Sequence, residues 1–401
     1  VEIRIVEYPS PALDYFTKLV TELRSGNAPD IFTIPRDQQL DDLAAAGYLA
    51  DMSAALANWD GYSQLSPLVK RLGRATFDQV PYVVPSILTV EQLYYRRDIL
   101  QQHNISTAQP QSWQELLRRA REIKTKTGHY ALLFPAGLTW GAGSYTEGFR
   151  YLLAGSSDPE LVNSKGQYRL RSDGVYEALK FYQDIIDADL MPVRPLLNPE
   201  PWVIPKYEMF PKGQLLSTTC GTWCVIFDWG PGSRNPIDNI EQVLGTWAMP
   251  ARWGPRNVES GASGELTNAE PFVMMSLVYS WAVNAQSRHL PQARQVALEL
   301  GSVDAAIAYA QKLGNVPARR DAIGRPEFQS MKVLLEARKQ LAKARAVRTT
   351  VGANALMSGV ARATESLLTK RKDARGAQQM LVDYVSNVLG DDQVEQRESK
   401  N

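Results

Sequence analysis

Hydrophobic positions switch repeatedly between two periods along the first two thirds of the chain. Residues 1–7 (Val1-Glu2-Ile3-Arg4-Ile5-Val6 and Glu7) alternate, which predicts a strand. In 11–25, Leu13, Phe16, Leu19, Val20 and Leu23 share one helical face, and Gly26-Asn27 ends the helix. A short apolar strand is expected at 29–34, a helix at 37–46 stopped by Gly47, and strands at 82–84 and 91–95 around Pro85. Ser112-Trp113-Gln114-Glu115 is the clearest helix start, with Ser112 able to cap free amides while Glu115 reaches back. Leu116, Leu117, Ala120 and Ile123 then follow on one face before Gly128. Further strands are predicted at 130–134 and 215–219, and a helix at 175–188. Such strand–helix alternation predicts an α/β fold with a largely parallel sheet covered by helices on both faces.

The last third reads as helix almost throughout: 291–300, 303–313, 327–346, 355–368 and 374–388. No internal repeat is visible, and the polar tail 391–401 is expected to fray. Between Pro192 and Pro271 the pattern loses its period and five of the nine Trp gather: Trp202, Trp223, Trp229, Trp247 and Trp253. The loops 230–235 and 252–264 lie in that span, and long irregular loops are commonly binding surfaces. Filling the core is the competing role for each indole.

At 401 residues two or three domains are expected, with ordinary globular composition. Forty-four Lys+Arg against 43 Asp+Glu argue against a nucleic-acid binder working by bulk charge. The longest apolar stretch, 271–283, is too short to cross a bilayer. Three His (His103, His129, His289) and two Cys make a zinc site hard to assemble, so no metal and no cofactor is expected. No nucleophile elbow, dinucleotide-binding glycine fingerprint or P-loop is present, and Asp41-Asp42 read as solvated acids, so nothing favours an enzyme. Cys220 and Cys224 flank Gly221-Thr222-Trp223. A turn there would bring them into disulfide range, and two separate buried thiols are the alternative.

Six segments occur in the order found in one family: Ser25-Gly26-Asn27-Ala28-Pro29-Asp30-Ile31-Phe32, Ala46-Gly47-Tyr48-Leu49-Ala50-Asp51, the stretch 81–100, Pro110-Gln111-Ser112-Trp113-Gln114-Glu115-Leu116, Gly221-Thr222-Trp223, and Leu313-Gly314-Asn315-Val316-Pro317-Ala318-Arg319. Together they resemble the extracellular solute-binding proteins of ABC importers, family 1, the maltose-binding type. The resemblance implies a two-lobed periplasmic-binding-protein-like (type II) fold with a helical C-terminal region. It implies a first lobe of 1–89 and 262–312, a second of 92–258 and 314–401, and hinge crossovers near 89–91, 258–262 and 313–315. A strand and helix that the family places ahead of Val1 have no counterpart in this sequence. The implied protein is monomeric and extracytoplasmic, free in a periplasm or lipid-anchored, bacterial or archaeal. It captures a sugar by hinge closure and delivers it to the permease subunits.

By position in the family's motifs the resemblance implies ligand contacts from Arg36 and Asp37 after the first strand, and from Trp140 and Tyr145 in the loop after 130–134. It adds Trp223, Ser263, Gly264 and Glu265 near the return crossover, and Trp253. Aromatic platforms would cover sugar CH faces while charged and amide groups hold the hydroxyl rim. Asp37 has an alternative role in capping the helix that follows it, and Trp140 and Tyr145 in packing. Ile34 and the segment 351–357 lack aromatics that maltose-type relatives can carry, which points to a smaller or differently shaped glycan. The rival ligands are a glycerol-phosphate-like solute, which needs an Arg-rich cleft, and a polyamine, which needs several acids. A glycan-processing enzyme is the rival of another class, and a receptor ectodomain a further one.

Overall fold

The structure, a computed structural model, describes residues 2–6, 12–253 and 270–396, with side chains from residue 15 onward in the first helix. The chain divides into two compact units: unit 1 holds 1–89, 276–339 and 349–353, and unit 2 holds 90–275, 340–348 and 354–401. This division differs from the one implied by the resemblance. It places 314–339 and 349–353 in unit 1 and 270–275 in unit 2. The strands, in chain order, are β1 (Ile31–Arg36), β2 (Val83–Val84), β3 (Ile87–Arg96), β4 (Ser217–Gly221), β5 (Leu244–Trp247), β6 (Val273–Val283), β7 (Val316–Pro317) and β8 (Ala344–Arg345). The chain passes from one unit to the other within both long strands, after Thr89 in β3 and after Met275 in β6.

In unit 1, β1 runs antiparallel to β6, Ile31 opposite Val283 and Arg36 opposite Val278, while β2 faces β6 and β7 faces the start of β3. The helix Ala12–Ser25 buries Phe16, Leu19 and Leu23 on the face its spacing predicts, and Tyr15 Oη donates to the Thr33 carbonyl at 2.8 Å, tying the helix to β1. Met52, Leu56, Val84, Val283 and Ala297 form an apolar cluster against which Trp59 and Trp281 pack. Each fully buried Leu or Val there stabilises the unit by roughly 1.5–3 kcal/mol. Residues 2–6 make no strand, and Ile3, Ile5 and Val6 are exposed, so the strand read from their alternation is absent. Alternation marks a strand only where a neighbour pairs with it.

In unit 2, β4 and β5 flank β3 and both run antiparallel to it, with Glu91 opposite Gly221 and Leu93 opposite Trp247, while β8 joins β6 in parallel. The pairings of β3 and β6 thus correct the largely parallel sheet read from alternation. Their partners come from far along the chain rather than from the next strand–helix unit, so the crossover rule does not fix direction. The helix Trp113–Thr127 begins as its sequence dictates. Ser112 Oγ accepts from the Glu115 amide at 3.2 Å, Glu115 Oε2 accepts from the Gln111 amide at 2.8 Å, and Gly128 closes the helix at φ +73°. Residues 130–134 run beside β4 but form only isolated parallel bridges, Tyr130 with Leu215 and Leu133 with Thr218, because the Ala131 and Leu132 amides both donate to the Leu190 carbonyl. The single helix expected over 327–346 is broken into Pro326–Gln329, Lys332–Gln340 and β8, whose Arg345 donates to the Ala154 carbonyl at 2.9 Å. Pairing with β6 outweighs helix propensity there. No described helix is long and apolar enough to cross a membrane.

Candidate functional site

Unit 2 gathers most of the candidate chemistry around the end of β4. Every residue of β4 is buried, and past Gly221 the chain turns through Thr222 and Trp223 into the π-helical segment Cys224–Asp228. The structure pairs Cys220 with Cys224 as a disulfide, their Cα atoms 6.3 Å apart. Trp223 is half-buried, and its ring folds back over Gly221 so closely that a Cβ at 221 would overlap it. Glycine is required at this position because the indole occupies the space a side chain would need.

Two segments bring charge to the same region. The π-helical turn Ser144–Phe149 carries Glu147, whose Oε2 accepts from Lys206 Nζ at 3.0 Å, and Thr219 Oγ1 of β4 donates to the Glu147 carbonyl at 2.5 Å. Lys206, on the segment Val203–Met209, is only 4% exposed, and its Nζ lies 5.8 Å from the centre of the Trp140 ring. Trp140 meets Trp202 edge to face at 6.4 Å. Burial alone would lower the Lys206 ammonium, but Glu147 and Asp228 outweigh it and the net direction is upward. Asp228 Oδ2 stands 2.9 Å from Cys224 Sγ. Burial, reinforced by Glu147 and opposed by Lys206, pushes the Asp228 carboxyl up from its ordinary 3.8 to about 6. Cys220, Cys224 and Asp228 bring two sulfurs and a carboxylate within 4.8 Å of one another. With the sulfurs bonded to each other, neither is the thiolate that a metal needs.

Behind this region lies a buried ion pair. Arg150 and Glu91 bond directly, Tyr151 Oη donates to Glu91 Oε2 at 3.1 Å, and Arg150 Nε donates to the Thr146 carbonyl at 2.6 Å. Burial and the Glu91 charge raise the Tyr151 phenol well above its usual value, so it stays protonated and donates. Since Glu91 is opposite Gly221 in the β3–β4 ladder, the pair anchors 144–155 beside the strand that carries the Trp223 turn.

The raised Asp228 carboxyl has a consequence for stability. The folded state holds this proton more tightly than the unfolded chain, so the contribution is full below about pH 4 and is lost as pH rises through about 6. Asp228→Asn keeps a neutral side chain throughout. In urea unfolding between pH 4 and 7, the variant is expected to gain on the parent by up to about 3 kcal/mol as pH rises. A stability difference that stays constant with pH would show that Asp228 titrates normally.

The structure treats the sequence-derived candidates differently. Trp140, Trp223 and Trp253 all belong to unit 2; Trp253 is 55% exposed and carries the Arg252 guanidinium 4.4 Å over its ring. Tyr145 is fully buried with its ring 6.3 Å from Phe149, so it presents no face to solvent here. Of the five clustered Trp, Trp229 and Trp247 are core: Trp229 packs on Phe210 at 4.3 Å and Trp247 stacks on Tyr95 at 4.0 Å. Arg36 and Asp37 belong to unit 1, at the end of β1. Asp37 opens the 3-10 turn Asp37–Gln39 ahead of the helix Leu40–Ala45, and its Oδ1 accepts from Gln38 Nε2 at 2.9 Å. Asp37 lines, with Ile34, Leu40 and Ser280, a depression of about 10 Å³, room for about one water and not for a sugar. Ser263, Gly264, Glu265 and the crossover near 258–262 lie outside the described residues. Glu147, Lys206, Asp228, Glu91 and Arg150 were not among the candidates. Of these only Asp228, four residues past Cys224, carries a local signal in the sequence that could have found it.

Residues 1–195 match the family model described as bacterial extracellular solute-binding protein. A relative from Escherichia coli (strain K12), provisionally named the ABC transporter periplasmic-binding protein YcjN, is 24% identical over 199 residues, covering 47% of this chain and 43% of that protein. The match thus spans less than half the length of that relative. Among solved structures, maltose-bound MalE3 of T. maritima superposes with a TM-score of 0.75 at 16% identity, over 97% of this chain and 92% of its own. The sugar-binding protein MalE of Xanthomonas citri gives 0.74 at 20% identity, over 95% and 88%. The sequence of residues 1–195 is thus similar to that of bacterial extracellular solute-binding proteins, and over nearly the whole chain the fold is that of the maltose-binding type.

Proposed function

We propose that the protein is the extracytoplasmic, non-catalytic substrate-binding component of an ABC importer, and that its ligand is a neutral carbohydrate. The observation that carries the choice of ligand is the Glu147–Lys206 pair with Asp228 beside it, together with the partly exposed indoles of Trp223 and of Trp202, the latter packed edge to face on the buried Trp140. Lys206 is already neutralised by Glu147, so this group offers no spare cation to a phosphate. Its excess negative charge is at most that of one carboxylate, too little to select a polyamine. Indole surfaces with a compact set of donors and acceptors suit a ring with apolar CH faces and a rim of hydroxyls. The maltose and sugar named for the structurally similar proteins support the same reading. In this proposal Arg36 and Asp37 remain candidate ligand contacts of unit 1, and the monomeric, liganded protein docks on the permease.

A thermal-shift screen against mono-, di- and trisaccharides, glycerol phosphates and polyamines tests the reading. A ligand at about 100 times its dissociation constant stabilises the native state by about 2.7 kcal/mol. A saccharide is expected to raise the midpoint and to be recovered unchanged. Shifts confined to phosphates or amines would sink the sugar, and a cleaved saccharide would sink the transport reading.

A further inference from the structure

We infer that the Cys220–Cys224 disulfide is a positioning element for ligand recognition, holding the Trp223 indole in the orientation in which it meets the ligand. The inference rests on the proposed role of Trp223 as a carbohydrate platform. Cys220 is held in the β3–β4 ladder opposite Gln92, and Cys224 opens the π-helical segment, its carbonyl accepting from the Trp229 amide at 2.9 Å. The bond therefore ties the end of the β4 ladder directly to the start of the π-helical segment. Between them lie only Gly221, Thr222 and Trp223. Within 220–224 the Cys, Gly and Thr are buried and Trp223 alone is partly accessible, so the closed loop presents one side chain.

Without the bond this loop would have two sources of freedom. Gly221, the last residue of β4, lacks the backbone restriction a side chain supplies at the point where the chain leaves the ladder. The partly exposed ring also lacks the all-round packing that fixes Trp229 and Trp247. Closing a five-residue loop restricts the backbone conformations open to 221–223 and hence the directions the indole can take. A platform already oriented before binding loses less freedom when the ligand arrives. Since both cysteines are fully buried, the bond is shielded from chance reduction while its effect is felt at the accessible ring.

The test is fluorine NMR of the full chain labelled with 5-fluorotryptophan, the Trp223 line being assigned by its loss in Trp223→Phe. In the parent protein Trp223 is expected to give one sharp line. In C220A/C224A that line is expected to shift and broaden or split while the other eight Trp lines hold their positions. An unchanged Trp223 line would overturn the inference. Collapse of the other eight lines would also overturn it, by assigning the bond to folding of the core. Maltose is the first binding probe. If it binds, its dissociation constant is expected to rise about tenfold in C220A/C224A, and by less than about twofold when the same change is made in a Trp223→Ala background. A loss of equal size in both backgrounds means that the bond acts elsewhere, and the positioning role falls. Unaltered maltose binding in Trp223→Ala alone would sink the platform reading, while the Trp223 line would still decide whether the bond holds the ring.

Discussion

Arg150→Met is expected to destabilise unit 2 by about 3–5 kcal/mol and to lower its unfolding midpoint by roughly 10 °C. Arg150 and Glu91 have side chains 1% and 4% exposed, so neither charge has water to fall back on once its partner is gone. Tyr151 would still donate to Glu91, but a neutral hydroxyl cannot offset a buried carboxylate. The measurement is thermal unfolding by circular dichroism of four proteins: parent, Arg150→Met, Glu91→Gln and the double variant. Removing both charges leaves no unpaired ion, so the double variant should recover most of the loss. If the double variant is as unstable as Arg150→Met, the loss comes from packing or from the Arg150–Thr146 bond, and the ion pair is not the anchor.

What the sequence reveals and what it hides follow from the range of the interactions involved. The Ser112 cap, the Glu115 return bond and the stop at Gly128 are settled within a few residues, and the sequence predicts them correctly. The order of family motifs likewise announces the fold, because each motif is a local turn or helix start. Residues 130–134 are apolar enough for a strand, yet a distant carbonyl at Leu190 takes the Ala131 and Leu132 amides and leaves isolated bridges. The break in the predicted 327–346 helix has the same origin, since β6 recruits Ala344 and Arg345. At the candidate site, Trp223 stands inside a recognisable motif. Lys206 and Glu147 lie 59 residues apart and meet only in the folded chain. Neither has a pattern around it that distinguishes it from other surface charges, so the electrostatic half of the site becomes visible only in three dimensions. Indole count misled in the opposite direction. Trp229 and Trp247 are part of the aromatic cluster, but they are core residues.

That distinction between indoles yields the second large effect. Trp223→Ala is expected to weaken saccharide binding by about 30- to 100-fold, which corresponds to about 2–3 kcal/mol, while changing the stability of the unliganded protein far less than truncation of a core Trp would. Trp229→Ala, six residues along, is expected to do the reverse. Its ring is fully buried against Phe210 and Tyr94 and its Nε1 donates to the Lys206 carbonyl at 2.9 Å, so truncation costs about 3–5 kcal/mol of fold. Isothermal titration of the saccharide found by the screen, set beside the unfolding midpoint of each unliganded variant, separates the two roles. Trp223→Phe should retain part of the affinity, because a smaller aromatic face still covers part of a sugar ring. Affinity unchanged in Trp223→Ala would move the platform to Trp202, which is partly exposed and meets the buried Trp140 edge to face. A stability loss in Trp223→Ala as large as that of Trp229→Ala would class the ring as core despite its partial exposure. The physical basis of the expectation is that a partly exposed indole, pressed over a glycine beside buried charges, contributes less to the core than a fully enclosed one and retains a face for a ligand.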